Sequence, residues 1–365
     1  MPPSSNSTFR QRSRVIDQRL TEAKRMQRYL EMDDFLLAFA VFTGVFFGLF
    51  VYRKLAERLG LLDIPNERSS HTEPVPRGGG LVIALILFIS FWISAGNLEH
   101  SARFWHLWTF GLSISAIGFY DDFRSLGILP RFVLQILISA LFLYVFYLNG
   151  EPPTISTVFF PAAVIWFLVV INAFNFLDGI DGMIALSALA AAALWRFFSL
   201  ESGFELTATA AGMVAASALA FFLHNRQPAR IFLGDSGSTF FGFLFAALPL
   251  ITIQESASGY RAEIGAAGVI FIWPVLADAV FTRLWRAIYV RRFWEPNRDH
   301  FYQRLVDSGR SHRFVSALYA AAAFIAGGIY VFAESADGRF PVFTVSFIAA
   351  NVFAALIWRR LLANK

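Results

Sequence analysis

Long apolar segments separated by short polar connections are the feature that most constrains this chain. Of its 365 residues, 56% are hydrophobic and only 16% are charged, whereas about 25% of residues in soluble domains are charged. The remaining polar side chains are too few to cover a globule of this size, so a lipid bilayer is the expected solvent of its surface. The absence of cysteine excludes disulfides, thiolate metal sites and cysteine nucleophiles. The sequence therefore predicts an all-α, polytopic integral membrane protein.

Eleven apolar segments approach or exceed the length of about 17 residues that a spanning helix needs. They are 35–52, 80–95, 104–120, 131–148, 157–177, 182–198, 206–223, 237–254, 264–282, 313–333 and 341–357. We expect about 11 transmembrane helices in a single catalytic domain, 35–357. A basic tail, 1–34, precedes this domain and a short tail, 358–365, follows it.

The connections between these segments alternate in charge. The basic set comprises 53–78, 121–130, 224–235, 283–312 and the tail from Trp358. The opposite set carries only Arg103, Arg261 and Arg339. Because cytoplasmic loops carry an excess of Lys and Arg, the basic set is predicted to face the cytoplasm. This orientation places the C-terminus inside and the start of the first helix outside.

The first thirty or so residues do not fit this orientation, because they are basic but fall on the predicted outer side. Two explanations stay open: the more numerous later loops fix the orientation, or the natural start is Met32, where Met32-Asp33-Asp34 leads directly into the first helix. We favour the second. Mass spectrometry of the natively expressed N-terminus tests it, since a peptide from residues 1–31 would exclude it. The tail lacks the Ala-x-Ala site of a signal peptide.

Dense polar clusters occur on the predicted cytoplasmic side, although acidic residues at membrane depth are costly. The first is the loop 63–80, in which Arg68, His71 and Arg77 are suited to bind phosphate. Its simpler explanation is a solvated positive-inside loop. The glycines that end it do not form a Walker A loop, because no Gly-Lys-Ser/Thr follows.

Asp121 and Asp122 form the second cluster, where the third segment reaches the cytoplasm. Adjacent carboxylates repel each other unless a cation lies between them. Ligands that are all oxygen favour a hard ion such as Mg²⁺, which also takes substrate phosphate oxygens. A solvated helix end is the alternative, but a negative pair there opposes the helix dipole. The pair therefore favours a functional site.

The third cluster, 172–182, reads Asn-x-x-Asn-x-x-Asp-Gly-x-Asp-Gly. Asn172 and Asn175 are three residues apart and share a helix face, and Asp178 and Asp181 follow them. The amides suit a nucleobase edge, and the carboxylates suit base N–H groups or a metal. An ordinary Asn/Gly turn is the structural alternative.

Two further clusters complete the cytoplasmic set. In 225–238, small residues at a helix start offer backbone N–H groups to an anion, with Asp235 either an N-cap or a metal ligand beside it. The loop 283–312 carries Arg298 and His300, and its simpler role is to anchor lipid headgroups. Asp278 lies deeper in the ninth segment and is left unassigned.

Taken in order, these clusters resemble the polyprenyl-phosphate N-acetylhexosamine-1-phosphate transferases. The resemblance covers nearly the whole chain from about Met32. It rests on Asp121-Asp122, on the Asn-x-x-Asn-x-x-Asp-Gly-x-Asp-Gly run of 172–182, and on Gly-Asp-x-Gly-Ser at 234–238, each at a cytoplasmic helix end. The resemblance implies transfer of a sugar-1-phosphate from a UDP-N-acetylhexosamine to undecaprenyl or another polyprenyl phosphate, with release of UMP.

The resemblance also implies roles for matching residues. Asp121, Asp122 and Asp235 would serve catalysis and hold Mg²⁺, with Mn²⁺ as an alternative, and His300 would be catalytic. The other implied or expected substrate-binding residues are Asn172, Asn175, Asp178, Asp181, Asn225, Phe232, Arg68, His71, Arg77 and Arg298. Among these, Asp181 would receive uracil, and Phe232 and Asn225 would stack on and hydrogen-bond the uridine.

The sequence departs from the family after His300, where relatives carry further histidines and this chain has Tyr302 and Gln303. This resembles the branch that starts O-antigen or related surface polysaccharides, and it argues against a muramoyl-pentapeptide substrate and against a mechanism that needs a histidine pair. We expect a bacterial cytoplasmic (inner) membrane location with the site facing the cytoplasm, and no nucleic-acid partner. A homodimer, the exact hexosamine and a covalent aspartyl intermediate stay open.

Three other classes of protein fit less well. A secondary transporter would carry acids near mid-span and inverted repeats, whereas here the acids crowd one side. An Asp-Asp-x-x-Asp prenyltransferase is disfavoured because Phe123, Arg124 and Ser125 follow the aspartate pair. A CDP-alcohol phosphatidyltransferase would need Asp-Gly-x-x-Ala-Arg, which the segment from Asp178 does not supply.

Overall fold

The computed structural model describes residues 33–65, 73–94, 101–148, 157–256, 261–290 and 298–335. The predicted basic tail up to residue 32, the eleventh apolar segment and the C-terminal tail lie outside these ranges.

Twelve α-helices and a two-residue ladder make up the described fold. In chain order they are α1 Asp33–Leu59, β1 Leu62–Asp63, β2 Val75–Pro76, α2 Gly79–Ser94, α3 Ser101–Arg124, α4 Ile128–Leu148, α5 Phe160–Leu177, α6 Met183–Glu201, α7 Glu205–Asn225, α8 Gly234–Glu255, α9 Arg261–Ile270, α10 Trp273–Tyr289, α11 Phe301–Asp307 and α12 His312–Ser335. The strands pair antiparallel, with Leu62 opposite Pro76. The prediction of an all-α polytopic membrane protein is confirmed.

Seven of these helices are long and apolar enough to cross a membrane: α1, α4, α5, α6, α7, α8 and α12. The pair α9–α10 adds an eighth if it counts as one broken span, since the two helices meet at 73°. Helix α2 is apolar but shorter. Ten of the eleven predicted segments therefore coincide with a helix or the bent pair, while a count of eleven spans is not established.

Helix α8 is the most buried candidate span and packs against α2, α3 and α5. Aromatic side chains fill its contact with α4 and α5: the rings of Phe142 and Phe167 lie 5.2 and 5.3 Å from that of Phe243. Such contacts stabilise beyond the area they bury. Because α8 begins with Gly234-Asp235, this packing fixes the position of Asp235 against the ends of its neighbours.

The structure differs from the sequence prediction in three places. Helix α1 extends to Leu59, seven residues beyond the predicted end of the first segment. The segment 264–282 forms two helices rather than one, because residues 271–272 interrupt it. Helix α10 then begins at Trp273, with Pro274 in its first turn, where proline is tolerated. The short helix α11, inside the basic loop, was not predicted.

Candidate active site

Charged residues from four separate elements meet at one end of the helix bundle. The Arg77 guanidinium, just before α2, lies 2.9 Å (Nε) from Asp122 Oδ1 and 3.2 Å (Nη2) from Asp235 Oδ1. On the other side, Arg131 Nη1 in α4 lies 3.3 Å from both Asp121 Oδ2 and Asp235 Oδ2. Asp235 thus bridges two arginines, and the predicted carboxylates form one cluster.

Arg131 is the member of this cluster that sequence reasoning missed. It lies at the start of an apolar segment, directly after Pro130, and no motif marks it. The available signal was a single arginine in the first turn of an otherwise apolar helix. An unpaired charge there is costly, so an acidic partner for this arginine could have been inferred.

Asp122 and Asp235 differ in their surroundings. The Asp122 side chain is fully buried and accepts hydrogen bonds from the backbone N–H groups of Asp235 (2.8 Å) and Ser236 (3.3 Å). It therefore caps the N-terminus of α8 from a neighbouring helix. The Asp235 side chain is 19% exposed and is the more accessible to a ligand.

Two glycines permit this approach. Gly234 has φ +75°, and a Cβ there would lie 2.4 Å from Asp122 Oδ2. Gly118, one turn before the aspartate pair, would place a Cβ 2.4 Å from the Asp235 carbonyl oxygen. Side chains at either position would push α3 and α8 apart.

The carboxylates of the charged cluster are compatible with a divalent cation, but they are not arranged as a preformed metal site. Within the described ranges, no group of three or more His, Cys, Asp or Glu side chains is arranged to hold a metal ion. The carboxylates face guanidinium groups instead. Their all-oxygen chemistry still suits Mg²⁺, which commonly takes one or two carboxylates together with substrate phosphates.

A cleft of about 730 Å³ opens beside the charged cluster, between α4, α5, α10 and α11. Its lining is mainly apolar. The polar residues that line it are Arg131, Asn172, Asn175, Arg283, His300 and Gln303. The prediction that Asn172 and Asn175 share a face is confirmed. Asn172 Nδ2 donates to Gln135 Oε1 (2.8 Å), and Asn175 Nδ2 donates to Ser238 Oγ (3.1 Å).

The loop after α5 lies between the cluster and the α7–α8 connection. Asp181 Oδ2 accepts from Ala229 N–H (3.2 Å), and His312 Nδ1 lies 3.5 Å from the same oxygen. Asn225 uses Oδ1 to accept from Gly182 N–H (2.7 Å) and Nδ2 to donate to Ile231 O (2.9 Å). Asn225 therefore ties the two loops together in this structure.

Phe232 connects the α7–α8 loop to the start of α2. Its backbone N–H donates to Pro76 O (2.8 Å), and its carbonyl accepts from Gly79 N–H (3.1 Å). The residues expected to contact the uridine are thus brought to one end of the bundle. Arg298 pairs with Asp307 at 3.4 Å on an exposed face, and its predicted role in substrate binding stays a prediction. Arg68 and His71 lie outside the described residues.

Tyr302 and Gln303, which replace the expected further histidines, have structural contacts. Gln303 Oε1 accepts from His300 N–H (3.2 Å) at the start of α11. Tyr302 is buried, and its hydroxyl donates to Phe176 O (3.2 Å). A Cβ on Gly179 would lie 2.1 Å from Tyr302 Oη. This tyrosine therefore packs closely against the Asp178 loop, where only glycine fits.

Asp178 gives the site a testable dependence on pH. Burial raises the pKa of Asp178 to about 8, although the charge of Arg77 lowers it in part. A carboxyl group with a raised folded-state pKa contributes stability that is fully present below its unfolded value of 3.8 and is lost as pH rises through about 8.

Asparagine stays neutral, so we expect Asp178→Asn to melt several degrees above the unchanged protein at about pH 9, with a much smaller difference at about pH 5. Thermal unfolding in detergent with EDTA measures this, since bound metal would add a charge to the cluster. A difference that is the same at both pH values would contradict the expectation.

Comparison with known proteins gives matches over much of the chain. The family model described as glycosyl transferase family 4 matches residues 104–253. A decaprenyl-phosphate N-acetylglucosaminephosphotransferase of Mycobacterium tuberculosis is 30% identical over 299 residues, 72% of this chain and 73% of the relative. A probable undecaprenyl-phosphate N-acetylglucosaminyl 1-phosphate transferase of Bacillus subtilis is 26% identical, over 72% of this chain and 74% of the relative. An undecaprenyl-phosphate alpha-N-acetylglucosaminyl 1-phosphate transferase of Salmonella typhi is 28% identical, over 82% of this chain and 83% of the relative.

Proposed function

Since this chain belongs to glycosyl transferase family 4, the polyprenyl-phosphate N-acetylhexosamine-1-phosphate transferases, we propose that it transfers N-acetylhexosamine-1-phosphate from a UDP-sugar to undecaprenyl phosphate and releases UMP. The observation that carries this proposal is the Asp121–Asp122–Asp235 cluster with Arg77 and Arg131, at the mouth of an apolar cleft. The phosphate groups of both substrates would meet at the cluster, and the prenyl tail would lie along the cleft.

In the proposed reaction, an oxygen of the lipid phosphate attacks the β-phosphorus of the UDP-sugar. The bond from that phosphorus to the bridging oxygen breaks, and UMP leaves with the bridging oxygen. The nucleophile is a phosphate monoester with a second pKa of about 6, already largely ionised at neutral pH. A strong general base is therefore unnecessary, and the difficulty is to bring two anions together.

Arg77 and Arg131 address that difficulty. Both guanidinium groups are held at fixed positions by carboxylates of the cluster, so they are oriented before the substrates arrive. Arginine binds phosphate through a planar fork of donors. Asp235, with help from Asp121 and Asp122, would hold Mg²⁺ or Mn²⁺, and the bound ion would neutralise phosphate charge.

The decisive test is release of UMP by the detergent-purified protein with undecaprenyl phosphate and a panel of UDP-N-acetylhexosamines. We expect release with at least one donor and loss of release in EDTA, restored by Mg²⁺. Because one phosphoanhydride replaces another, excess UMP should regenerate the UDP-sugar from the lipid product. No release from any donor by folded protein would reopen the transporter alternative.

We further propose that the site faces the cytoplasm of a bacterial inner membrane, in the branch that initiates surface polysaccharides. The chain has no cysteine, so single cysteines report sidedness without background. Glu73 lies at the same end as Arg77, and Ser202 lies between α6 and α7; both are exposed. In intact spheroplasts, an impermeant maleimide should label Ser202→Cys and spare Glu73→Cys. The reverse pattern would contradict this orientation, and cross-linking would test for a homodimer.

A further inference from the structure

Asp278 is a buried carboxylate in α10 that the proposed chemistry does not use. Its side chain is 2% exposed. Oδ1 lies 3.3 Å from His300 Nδ1 and accepts from Phe301 N–H (2.9 Å). Oδ2 accepts from Tyr302 N–H (3.2 Å) and from the Tyr319 hydroxyl (2.6 Å).

These contacts join three helices at one carboxylate. The first N–H groups of a helix lack intrahelical partners, and Asp278 accepts from two such groups at the start of α11. The Tyr319 hydroxyl adds a contact from α12. Since a buried charge must be paired and hydrogen-bonded, Asp278 fixes where α11 begins.

His300 is the residue at that beginning, and it lies between Asp278 and the cleft. Nδ1 faces Asp278, while the residue lines the cleft together with Arg131 and Arg283. The ring lies beside Phe176, with centroids 6.2 Å apart. With Nδ1 engaged by the carboxylate, Nε2 is the nitrogen left to the cleft.

We propose that Asp278 is a positioning residue for His300: it accepts Nδ1–H, so that Nε2 is presented to a substrate phosphate in the cleft. The identity of the substrate in this inference rests on the proposed function. The position of the proton on the imidazole ring is independent of that function. A carboxylate partner commonly sets which imidazole nitrogen carries the proton and how the ring is oriented.

Asp278→Asn is the informative variant, because an amide cannot accept hydrogen bonds at both of its ends. We expect kcat for UMP release to fall about 10–100-fold, by analogy with the loss of a partner that orients a metal-ligating histidine, with little change in KM. The double variant Asp278→Asn/His300→Ala should be no slower than His300→Ala alone. Independent effects that multiply in the double variant would overturn the proposal.

Tyr319→Phe is the matched control. It removes a donor from Oδ2 and leaves the contact between Oδ1 and His300. A purely structural role for Asp278 predicts that Tyr319→Phe and Asp278→Asn lose activity in proportion to their loss of thermal stability. The positioning role predicts that Tyr319→Phe lowers the melting temperature while kcat stays near that of the unchanged protein.

Nitrogen NMR of ¹⁵N-histidine-labelled protein gives a readout that needs no turnover. The chain has six histidines, and the signal missing from His300→Gln identifies the relevant one. We expect Nδ1 to carry the proton in the unchanged protein and to lose it in Asp278→Asn. If the His300 proton moves as expected but the unchanged protein is inactive, the proposed function alone is contradicted. If the unchanged protein is active but the His300 signal is unaltered in Asp278→Asn, the positioning role alone is contradicted.

Discussion

Replacing Asp235 by asparagine should lower kcat for UMP release by about 10²–10³-fold, a loss typical of removing one preorganised electrostatic group. A neutral amide would neither pair with Arg77 and Arg131 nor bind the proposed divalent ion as strongly. Asp235 contacts both arginines and is more accessible than Asp122, so the loss should come from charge placement rather than from unfolding. Asp122→Asn should differ, because the buried Asp122 caps α8. That variant should lose melting temperature as well as rate. Steady-state kinetics and thermal unfolding of both proteins measure the contrast.

Asp34→Asn is the matched control for this pair. Asp34 is also an ion-paired aspartate near a helix end: its carboxylate lies 3.4 Å from Arg196 Nη1 and accepts from Thr209 Oγ1 at 2.8 Å. No member of the charged cluster contacts it among the ion pairs of the described chain. Its loss should leave kcat nearly unchanged. Equal rate losses in Asp34→Asn and Asp235→Asn would show that the effect is not specific to the site.

Gly118→Ala should damage both the fold and the activity. The added Cβ would lie 2.4 Å from the Asp235 carbonyl oxygen and 2.6 Å from Ser236 N, both backbone atoms that cannot rotate away. Overpacking of this kind costs about 1–3 kcal/mol and occasionally more. For a protein of this size that corresponds to a fall in melting temperature of about 1–4 °C. Activity should fall further, since α3 and α8 carry the three carboxylates.

Gly328→Ala makes the same chemical change where no neighbouring heavy atom would lie within 4 Å of the Cβ. Alanine favours a helix over glycine by up to about 1 kcal/mol, so this variant should be as stable as the unchanged protein or slightly more so. Thermal unfolding and UMP release compare the two. A Gly118→Ala protein with normal stability and rate would mean that α3 and α8 are not in the contact described.

Hydropathy and charge pattern were sufficient for much of the architecture. Each apolar segment within the described ranges became a helix, because the free energy of placing a helix in lipid is largely a sum over its own residues. The bend between α9 and α10 was not predicted, because the hydropathy of 264–282 stays high across residues 271–272, where the helix breaks. Helix α11 was also missed, because seven residues in a basic loop give no usable periodicity.

The candidate site was predictable where the chain carries recognisable motifs in a family's order, and only partly elsewhere. Asp121, Asp122 and Asp235 were identified and do come together. Arg131 carries no motif, and the pair of Arg298 with Asp307 was not predicted. The contact of Asn225 with Gly182 and Ile231 was also invisible, because amide orientation depends on which backbone groups the packing leaves nearby.

The sequence by itself determined that this chain lies in a membrane, which helix ends carry the polar clusters, and the family to which the chain belongs. These properties are local: they depend on the composition of a segment and on the order of short motifs. Only the tertiary structure decided that Arg77 and Arg131 enclose Asp235, and that Asp278 faces His300 across 22 positions of the chain. Such contacts join side chains far apart in sequence, and helix packing, which no single segment encodes, sets the distances between them.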